Sequence, residues 1–241
     1  MINDKALPPD PDDLDLAQVP ADTPQARDIG VDRLVADRNG IAVDTPVAAA
    51  PFARAARGAE SHIRPYPEQW EQHTALRDGT AIFIRPLRPE DERLYGPFLS
   101  AVTEHDVRLR FFGPVKEFSH AFLARLTQID YVTAMAFIAL DEGTDRMLGV
   151  VRLHTKPAGD TAEYAILIRS DLKDRGLGWL LMQKMIDYAR TQDIRVIEGQ
   201  VLRENSTMLK MCRELGFRVK PDPADFGICL VELPVVGLSS I

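Results

Sequence analysis

The sequence predicts a mixed α/β fold of the α+β type, in which helices cover a single β-sheet. From residue 77 onward, short strand-like runs alternate with helical patterns, and two of the first strands are joined as a hairpin. A Gly-x-Gly stretch at residues 176–178 lies where a strand pattern passes into a helical one. These observations indicate a mixed sheet with a loop suited to a ligand at one strand-to-helix junction.

Length, composition and cysteine content exclude several classes of protein. With 241 residues, 45% of them hydrophobic, the chain can bury one sizeable core. No apolar run approaches the roughly 20 residues that span a bilayer, and the N-terminus lacks the pattern of a signal peptide, so we expect a cytoplasmic protein without a membrane partner. Cys212 and Cys229 have no His or Cys neighbours at metal-ligand spacing, so we expect no metal or redox site. No basic patch indicates a nucleic-acid partner.

The first 75 residues differ in composition from the rest of the chain. They hold 7 Lys/Arg against 13 Asp/Glu, and 9 of the 17 prolines. We therefore expect residues 1–75 to be a largely disordered extension and linker, and residues 76–241 to be the folded domain. Within the extension, apolar alternation on both sides of Asn39-Gly40 predicts a β-hairpin in the range 28–50, which needs a packing partner to be stable.

The elements of the domain follow from the period of the apolar residues and from the turn signals between them. Strands are predicted at 81–88, 134–142, 146–156, 161–169, 195–202 and 227–234. Helices are predicted at 89–101, 106–112, 119–128, 177–191 and 206–215. Pro89 and the acidic residues that follow it suit the first turn of a helix, and Gly143-Thr-Asp suits the turn of a hairpin.

The junction at residues 173–178 predicts an anion site. Gly176 and Gly178 let backbone N–H groups approach a ligand at the start of a helix, where unpaired donors and partial positive charge meet. Lys173 and Arg175 add positive charge, which suits a pyrophosphate. The alternative is that the glycines only turn a strand into a helix, and the spacing matches neither a Walker loop nor a full dinucleotide fingerprint.

Together, these elements resemble the GNAT superfamily of acetyl-CoA-dependent N-acetyltransferases over roughly residues 77–235. In that family a Gln/Arg-x-x-Gly-x-Gly/Ala loop holds the CoA pyrophosphate, and residues 173–178 match it with Lys173 in the first position. Asn205 and the Leu-Gly-Phe that ends at Phe217 resemble the second signature. The resemblance implies the GNAT fold, a mixed, mostly antiparallel twisted sheet flanked by helices, and acetyl-CoA as co-substrate without a metal. The residues that it implies for cofactor binding are Ile168, Arg169, Lys173, Asp174, Arg175, Gly176, Leu177, Gly178 and Asn205.

Several phrases are similar to the acetyltransferase domain of bacterial protein lysine acetyltransferases, namely "IRPLRPED", "RLRFFGPVKEFS", "ILIRSDLK" and "CRELGF". Such domains are often fused to NDP-forming acyl-CoA synthetase modules, so the resemblance implies protein lysines as acceptors and acyl-CoA synthetases as partners. The stretch "GVDRLVADRNGIAVDTPV" resembles the closing hairpin of the ATP-grasp module of that synthetase. The sequence contains no stretch that resembles the nucleotide-binding body of that synthetase, so we expect no ligase activity.

The chemistry requires a base, because a lysine amine with a pKa of about 10.4 must lose a proton before it attacks a thioester. Glu163 is the predicted base, since it lies ten residues before Lys173, where family members commonly carry a glutamate. The alternative is a solvated strand carboxylate. The N–H groups of Ile168 and Arg169 are expected to stabilise the developing oxyanion. Cys212 stands where many family members have a Tyr general acid, and we expect it to be a packed residue without a chemical role.

Two other functions stay open at this point. The same scaffold could acetylate a small amine or an amino acid, and the missing Tyr would also suit a non-catalytic CoA-sensing module. His105, His120 and His154 are interpreted as structural or surface residues, with His154 the one histidine considered for the cleft.

Overall fold

A computed structural model describes residues 35–36, 41–43, 64–115, 117–157 and 159–235. The disorder predicted for the N-terminal extension falls mostly on residues outside this part of the chain. The described strands, in chain order, are β1 Val35–Ala36, β2 Ile41–Val43, β3 Gln72–Ala75, β4 Ala81–Pro86, β5 Glu117–Phe118, β6 Ala134–Asp141, β7 Met147–Thr155, β8 Thr161–Ile168, β9 Val196–Leu202, β10 Arg218–Pro221 and β11 Ile228–Pro234. The described α-helices are α1 Glu92–Ser100, α2 Glu104–Phe111, α3 His120–Thr127, α4 Leu177–Arg190 and α5 Ser206–Glu214.

Eight of these strands form one mixed sheet in the order β10-β11-β9-β8-β7-β6-β4-β3. Within its described residues, β8 and β9 pair in parallel and the other neighbours pair antiparallel. The predicted class, a mixed and mostly antiparallel sheet with helices, is therefore confirmed. Short 3-10 turns at Pro89–Asp91 and Ser170–Leu172 precede α1 and the loop before α4.

Helices cover both faces of the middle of the sheet, since all residues of β6 from Ala134 to Leu140 are buried although alternate side chains point to opposite faces. Helix α4 packs on β6, β7 and β8, and its residues Leu181, Met182 and Met185 are fully buried. A helix anchored this firmly fixes the position of its own N-terminus relative to the end of β8.

The six strands and five helices predicted from periodicity are present, with ends shifted by a few residues. Two strands of the main sheet, β3 and β10, were not predicted. Strand β3 reads Gln-His-Thr-Ala and is mostly exposed, so it carries no apolar alternation, and its pairing with β4 makes it a strand.

The segment before β3 also packs on the domain. Trp70 lies 5.4 Å from Tyr188 and 5.9 Å from Phe137 between ring centroids, and Tyr66 lies 6.1 Å from Tyr131. Residues 64–75, which the sequence-based division assigned to the extension, thus contact the core. We accordingly propose a domain boundary near residue 64 rather than after residue 75.

The hairpin predicted in the range 28–50 is described only in part. Strands β1 and β2 pair antiparallel with Val35 opposite Val43, and β2 pairs in parallel with β5 through Ile41 and Glu117. The remainder of that range lies outside the described residues. The paired strands give the hairpin a backbone contact with the domain.

We expect a truncated chain that begins at Arg64 to fold and to bind acetyl-CoA, whereas a chain that begins at Arg77 loses Trp70 and β3 and is strongly destabilised. Removing a fully buried aromatic side chain costs about 3–5 kcal/mol, and the loss of the partly buried Trp70 adds to the loss of the β3–β4 pairing. Thermal unfolding and calorimetric titration of both chains check this expectation. Equal stability of the two chains would contradict the boundary proposed here.

Candidate functional site

The site is a cleft that opens where two neighbouring strands separate. The parallel pairing of β8 and β9 ends at Glu163 and Glu198, and beyond this point β8 continues to Ile168 alongside β7 alone. The resulting gap belongs to a cleft of about 570 Å³, bounded by β8, the end of β9, α2 and the N-terminal turns of α4 and α5. This volume is in the range of pockets that bind small molecules.

Tyr164 fills the base of the gap between the separating strands. Its side chain is buried, and the ring lies so close to Gly199 that a Cβ atom there would stand 2.5 Å from Tyr164 Cε1. The Tyr164 hydroxyl lies 3.2 Å from Cys212 Sγ, and the ring centroid lies 5.5 Å from that of Phe217. Burial, followed by the neighbouring Cys212, raises the pKa of Tyr164 well above its usual value, so the phenol is neutral. Cys212 is a fully buried thiol, as expected.

The N-terminus of α4 opens into the cleft. Gly176 is the N-cap, has φ +88° and offers no side-chain cap, and the first helical hydrogen bond runs from the Leu180 N–H to the Gly176 carbonyl at 3.1 Å. Within the part of the chain that the structure describes, the N–H groups of Leu177, Gly178 and Trp179 therefore have no hydrogen-bond partner. Three unpaired donors at a positive helix end suit a phosphate group.

The two loop glycines are required for different reasons. Gly176 adopts a left-handed conformation that L-residues rarely take, and a Cβ there would meet Arg77 Nε at 3.3 Å. A Cβ on Gly178 would meet only the side chains of Met211 and Ile168, at the ordinary distances of 3.7 and 3.9 Å. Packing within the protein therefore does not require a glycine at 178, whereas a ligand that approached the backbone closely would require one.

The structure changes the expected role of Arg169. Its N–H donates to the Leu148 carbonyl at 2.9 Å, and its side chain binds Asp171 through Nε at 3.0 Å and a terminal nitrogen at 2.9 Å. Neither group is available to a thioester carbonyl, so the oxyanion role predicted for Arg169 is wrong. Because N–H groups alternate in direction along a strand, the Ile168 N–H points away from β7 and toward the gap.

The other loop residues are placed as follows. Lys173, Asp174, Gly176 and Gly178 line the cleft, whereas the Arg175 side chain turns away and binds Asp78 at 2.9 Å. Leu177 is fully buried and anchors α4 in the core. That these residues contact CoA stays a prediction, and for Arg175 and Leu177 only the backbone remains to make that contact.

Asp106 of α2 holds the loop in place. It is 6% exposed, forms an ion pair with Lys173, and accepts hydrogen bonds from Ser170 and from Thr103, the latter at 3.0 Å. Burial alone would raise the pKa of Asp106, but the hydrogen bonds from Lys173, Ser170 and Thr103 outweigh it and lower that pKa. The carboxylate is thus charged at neutral pH and ties the start of α2 to the loop before α4.

We expect Asp106→Asn to lower the free energy of unfolding by about 1–3 kcal/mol at pH 7, since three partners lose a charged acceptor. A lowered folded-state pKa gives stability that is complete above the unfolded value of about 3.9 and is lost as pH falls through the folded value. Urea titrations should therefore show a constant difference above about pH 5 that shrinks in stronger acid. Glu104→Gln, an exposed carboxylate in the same helical turn, is the control and should change stability by no more than about 0.5 kcal/mol. An equal effect of both substitutions would contradict this role of Asp106.

Asn205 and Glu163 both line the cleft. Asn205 caps α5, because its side-chain oxygen accepts the Met208 N–H at 3.1 Å, so a contact with CoA is not needed to explain it. Glu163 is half-buried and is the last residue of β8 that pairs with β9, so its carboxylate stands where the gap begins. The structure thus brings the predicted base and the predicted anion loop into one cleft.

The histidine at the cleft is His105, whereas the sequence analysis had considered His154 for that position. His154 lies opposite Glu163 on β7 and does not line the cleft, whereas the exposed His105 of α2 does. His120 Nδ1 lies 2.7 Å from a carboxylate oxygen of Glu92, away from the site.

Within the described ranges, no group of three or more His, Cys, Asp or Glu side chains is placed to hold a metal ion. No described helix is long and apolar enough to cross a membrane.

The sequence analysis did not identify several residues that line the cleft, among them Arg77, Asp106, Tyr164 and Trp179. Trp179 and Tyr164 adjoin predicted site residues, so their positions in the chain could have drawn attention to them. Arg77 and Asp106 lie far along the chain from the loop, and no local pattern signals their contact with it.

Comparisons with known proteins agree with this geometry. The model of the Acetyltransferase (GNAT) family matches residues 102–217. An acetyltransferase of Pseudomonas aeruginosa is 35% identical over 153 residues, which cover 63% of this chain and 82% of that protein. An L-methionine sulfoximine/L-methionine sulfone acetyltransferase of the same species is 32% identical over 59 residues, or 24% of this chain and 34% of that protein.

Solved structures are similar over most of the described domain. The GNAT domain of S. lividans PAT is 27% identical with a TM-score of 0.65, and the match covers 70% of this chain and 99% of that domain. Spermidine N-acetyltransferase from Vibrio cholerae, in complex with CoA and spermine, is 19% identical with a TM-score of 0.52, covering 64% of this chain and 95% of that one. The second likeness is one of fold alone.

Proposed function

This chain belongs to the GNAT family of acetyltransferases, and we propose that it transfers the acetyl group of acetyl-CoA directly to lysine amines of proteins, with Glu163 as general base. Membership of the family makes it an acetyl-CoA-dependent N-acetyltransferase with the GNAT fold. The acceptor, the base and the cytoplasm as the site of reaction are the parts that we propose.

One observation supports the proposed mechanism most directly. The Glu163 carboxylate and the uncapped N-terminus of α4 line the same cleft, at the place where β8 and β9 separate. A phosphate-binding helix end can hold the pyrophosphate of acetyl-CoA, and the gap between the strands gives its pantetheine arm a route toward Glu163. In this arrangement the thioester of bound acetyl-CoA lies close to the carboxylate that serves as base.

In the proposed reaction, Glu163 accepts a proton from the lysine amine, directly or through water, and the amine attacks the thioester carbonyl carbon. The Ile168 N–H, which points into the gap, stabilises the negative charge that develops on the carbonyl oxygen. The carbon–sulfur bond then breaks, and the departing thiolate takes a proton from water. Cys212 has no part in these steps, because it is fully buried beside the Tyr164 hydroxyl.

The choice of protein lysines as acceptors rests on similarity. The four sequence phrases resemble bacterial protein lysine acetyltransferases, and the 27% identity to the GNAT domain of S. lividans PAT extends over nearly all of that domain. Acyl-CoA synthetases remain the partner class that we propose on the same ground. A small amine or amino acid as acceptor is the alternative that the experiment must separate.

The test is to incubate the full chain with acetyl-CoA and a cell lysate, and to measure acetyl-lysine on proteins together with released CoA thiol. We expect protein acetylation above that seen with Glu163→Gln, which controls for non-enzymatic transfer. Thiol release that needs added small amines would assign the small-molecule alternative. Binding of acetyl-CoA without transfer to either class of acceptor would point to a CoA-sensing module.

A further inference from the structure

We infer that Arg77, in the turn between β3 and β4, supplies the side-chain positive charge that pairs with the pyrophosphate of acetyl-CoA. Arg77 is exposed and lines the cleft, although it lies about a hundred residues before the loop in the chain. Its side chain runs along Gly176, with Nε, Cγ and Cδ at 3.3, 3.5 and 3.6 Å from the position that a Cβ on Gly176 would take. The guanidinium is thus beside the N-terminus of α4.

The turn that carries Arg77 is held firmly in place. Leu76 is buried, its N–H donates to the Thr80 carbonyl at 2.9 Å, and the Gly79 N–H donates to the Leu76 carbonyl at 3.0 Å. The Arg77 N–H also donates to the Arg175 carbonyl at 3.4 Å. The arginine is therefore positioned by the β3–β4 hairpin rather than by a flexible tail.

Charge pairing around the loop singles out Arg77. Arg169 binds Asp171, Lys173 binds Asp106, and Arg175 binds Asp78. Each of these three cations is already paired with a carboxylate, which weakens its attraction for a bound anion. Within the described part of the chain, the Arg77 guanidinium has no carboxylate within ion-pair distance.

This arrangement suits an arginine that completes a phosphate site. The helix N-terminus offers backbone N–H groups, and a guanidinium beside it adds a full charge with donors that match phosphate oxygens in pairs. Gly176 then has a second task besides its left-handed φ, since the absence of a Cβ leaves room for the stem of Arg77. The inference rests on the proposed use of acetyl-CoA and adds a binding residue from outside the loop.

The experiment is a calorimetric titration of CoA and of dephospho-CoA, which lacks the 3′-phosphate, into the wild type and three variants. Arg77→Gln should weaken both ligands by about 10- to 100-fold, because a charge-assisted hydrogen bond is lost in each case. The affinity of Arg77→Lys should lie between those of the wild type and Arg77→Gln, since lysine keeps the charge without the paired donors. Arg218→Gln, an exposed arginine on β10 outside the cleft, removes the same charge and should stay within about twofold.

The salt dependence gives a second measurement, because the affinity of Arg77→Gln should fall less steeply with ionic strength than that of the wild type. Thermal unfolding of each variant confirms that it is folded. A loss of less than about threefold in Arg77→Gln would overturn the inference and leave the proposed function intact. A loss seen with CoA but not with dephospho-CoA would also overturn it, because the partner would then be the 3′-phosphate. Failure of the wild type to bind either ligand would instead overturn the proposed function.

Discussion

Replacing Gly178 by glutamate is expected to weaken acetyl-CoA binding by at least about 100-fold while the protein remains folded. The new carboxylate would stand at the unpaired N–H groups of α4, where it competes with the pyrophosphate and repels it. Two like charges about 4 Å apart cost roughly 4 kcal/mol at the effective dielectric constant of a protein surface. The fold should tolerate the change, since a Cβ at 178 meets Met211 and Ile168 at ordinary distances of 3.7 and 3.9 Å and acidic residues stabilise a helix N-terminus.

The matched control is Gly178→Ala, which adds the Cβ without the charge. We expect an intermediate loss of affinity and an unchanged unfolding midpoint, because alanine fits the space and suits the helix. Gly176→Glu should abolish binding as well, but its left-handed φ and its contact with Arg77 also destabilise the loop, so it is the less selective variant. Calorimetric titration of folded Gly178→Glu with near wild-type affinity would refute the assignment of the loop.

Replacing Glu163 by glutamine is expected to lower turnover by about 10²- to 10⁴-fold, the usual contribution of a positioned general base. Glutamine keeps the shape of the side chain but cannot accept the proton, so the affinity for acetyl-CoA should hardly change. The amine then reacts only in the fraction that is already deprotonated, which increases as pH rises toward about 10.4. The rate of the variant should consequently depend more steeply on pH than that of the wild type.

Cys212→Ser is the control for this mechanism. Serine can keep a hydrogen bond with the Tyr164 hydroxyl, and the buried thiol has no expected role, so turnover should stay within a few-fold. Some stability should be lost, because a hydroxyl is harder to bury than a thiol. Steady-state rates between pH 6 and 10 separate the possibilities: full turnover in Glu163→Gln, or a larger loss in Cys212→Ser, would disprove direct transfer through Glu163.

Local patterns in the sequence predicted six of the eight strands of the main sheet and the five described α-helices. The helical period of residues 177–191 predicted α4, and Gly176, which was predicted to lie where this helix starts, is its N-cap. Glu163 was placed on the correct strand, and the structure brings it into the cleft that the loop lines. The helices and strands depend on residues close together in the chain, which is why periodicity and spacing can reveal them, whereas the choice of Glu163 as base followed from the family resemblance.

The parts that could not be predicted depend on contacts between distant residues. Lys173 and Arg175 were predicted from their positions in the loop, but the sequence does not show that Asp106 and Asp78, 67 and 97 residues away, bind their side chains. The direction of the Arg169 N–H follows from the register of β8 against β7, which the sequence does not specify. Strand β3 lacks an apolar period and exists because β4 offers it a pairing edge. In each case a tertiary contact decides the role of the residue.

The close approach of Tyr164 to Gly199 has a consequence for the history of the protein. A Cβ on residue 199 would stand 2.5 Å from a ring that is itself buried, so the ring has little freedom to move aside. A substitution of Gly199 is therefore expected to be tolerated after Tyr164 has been replaced by a smaller residue, and not before.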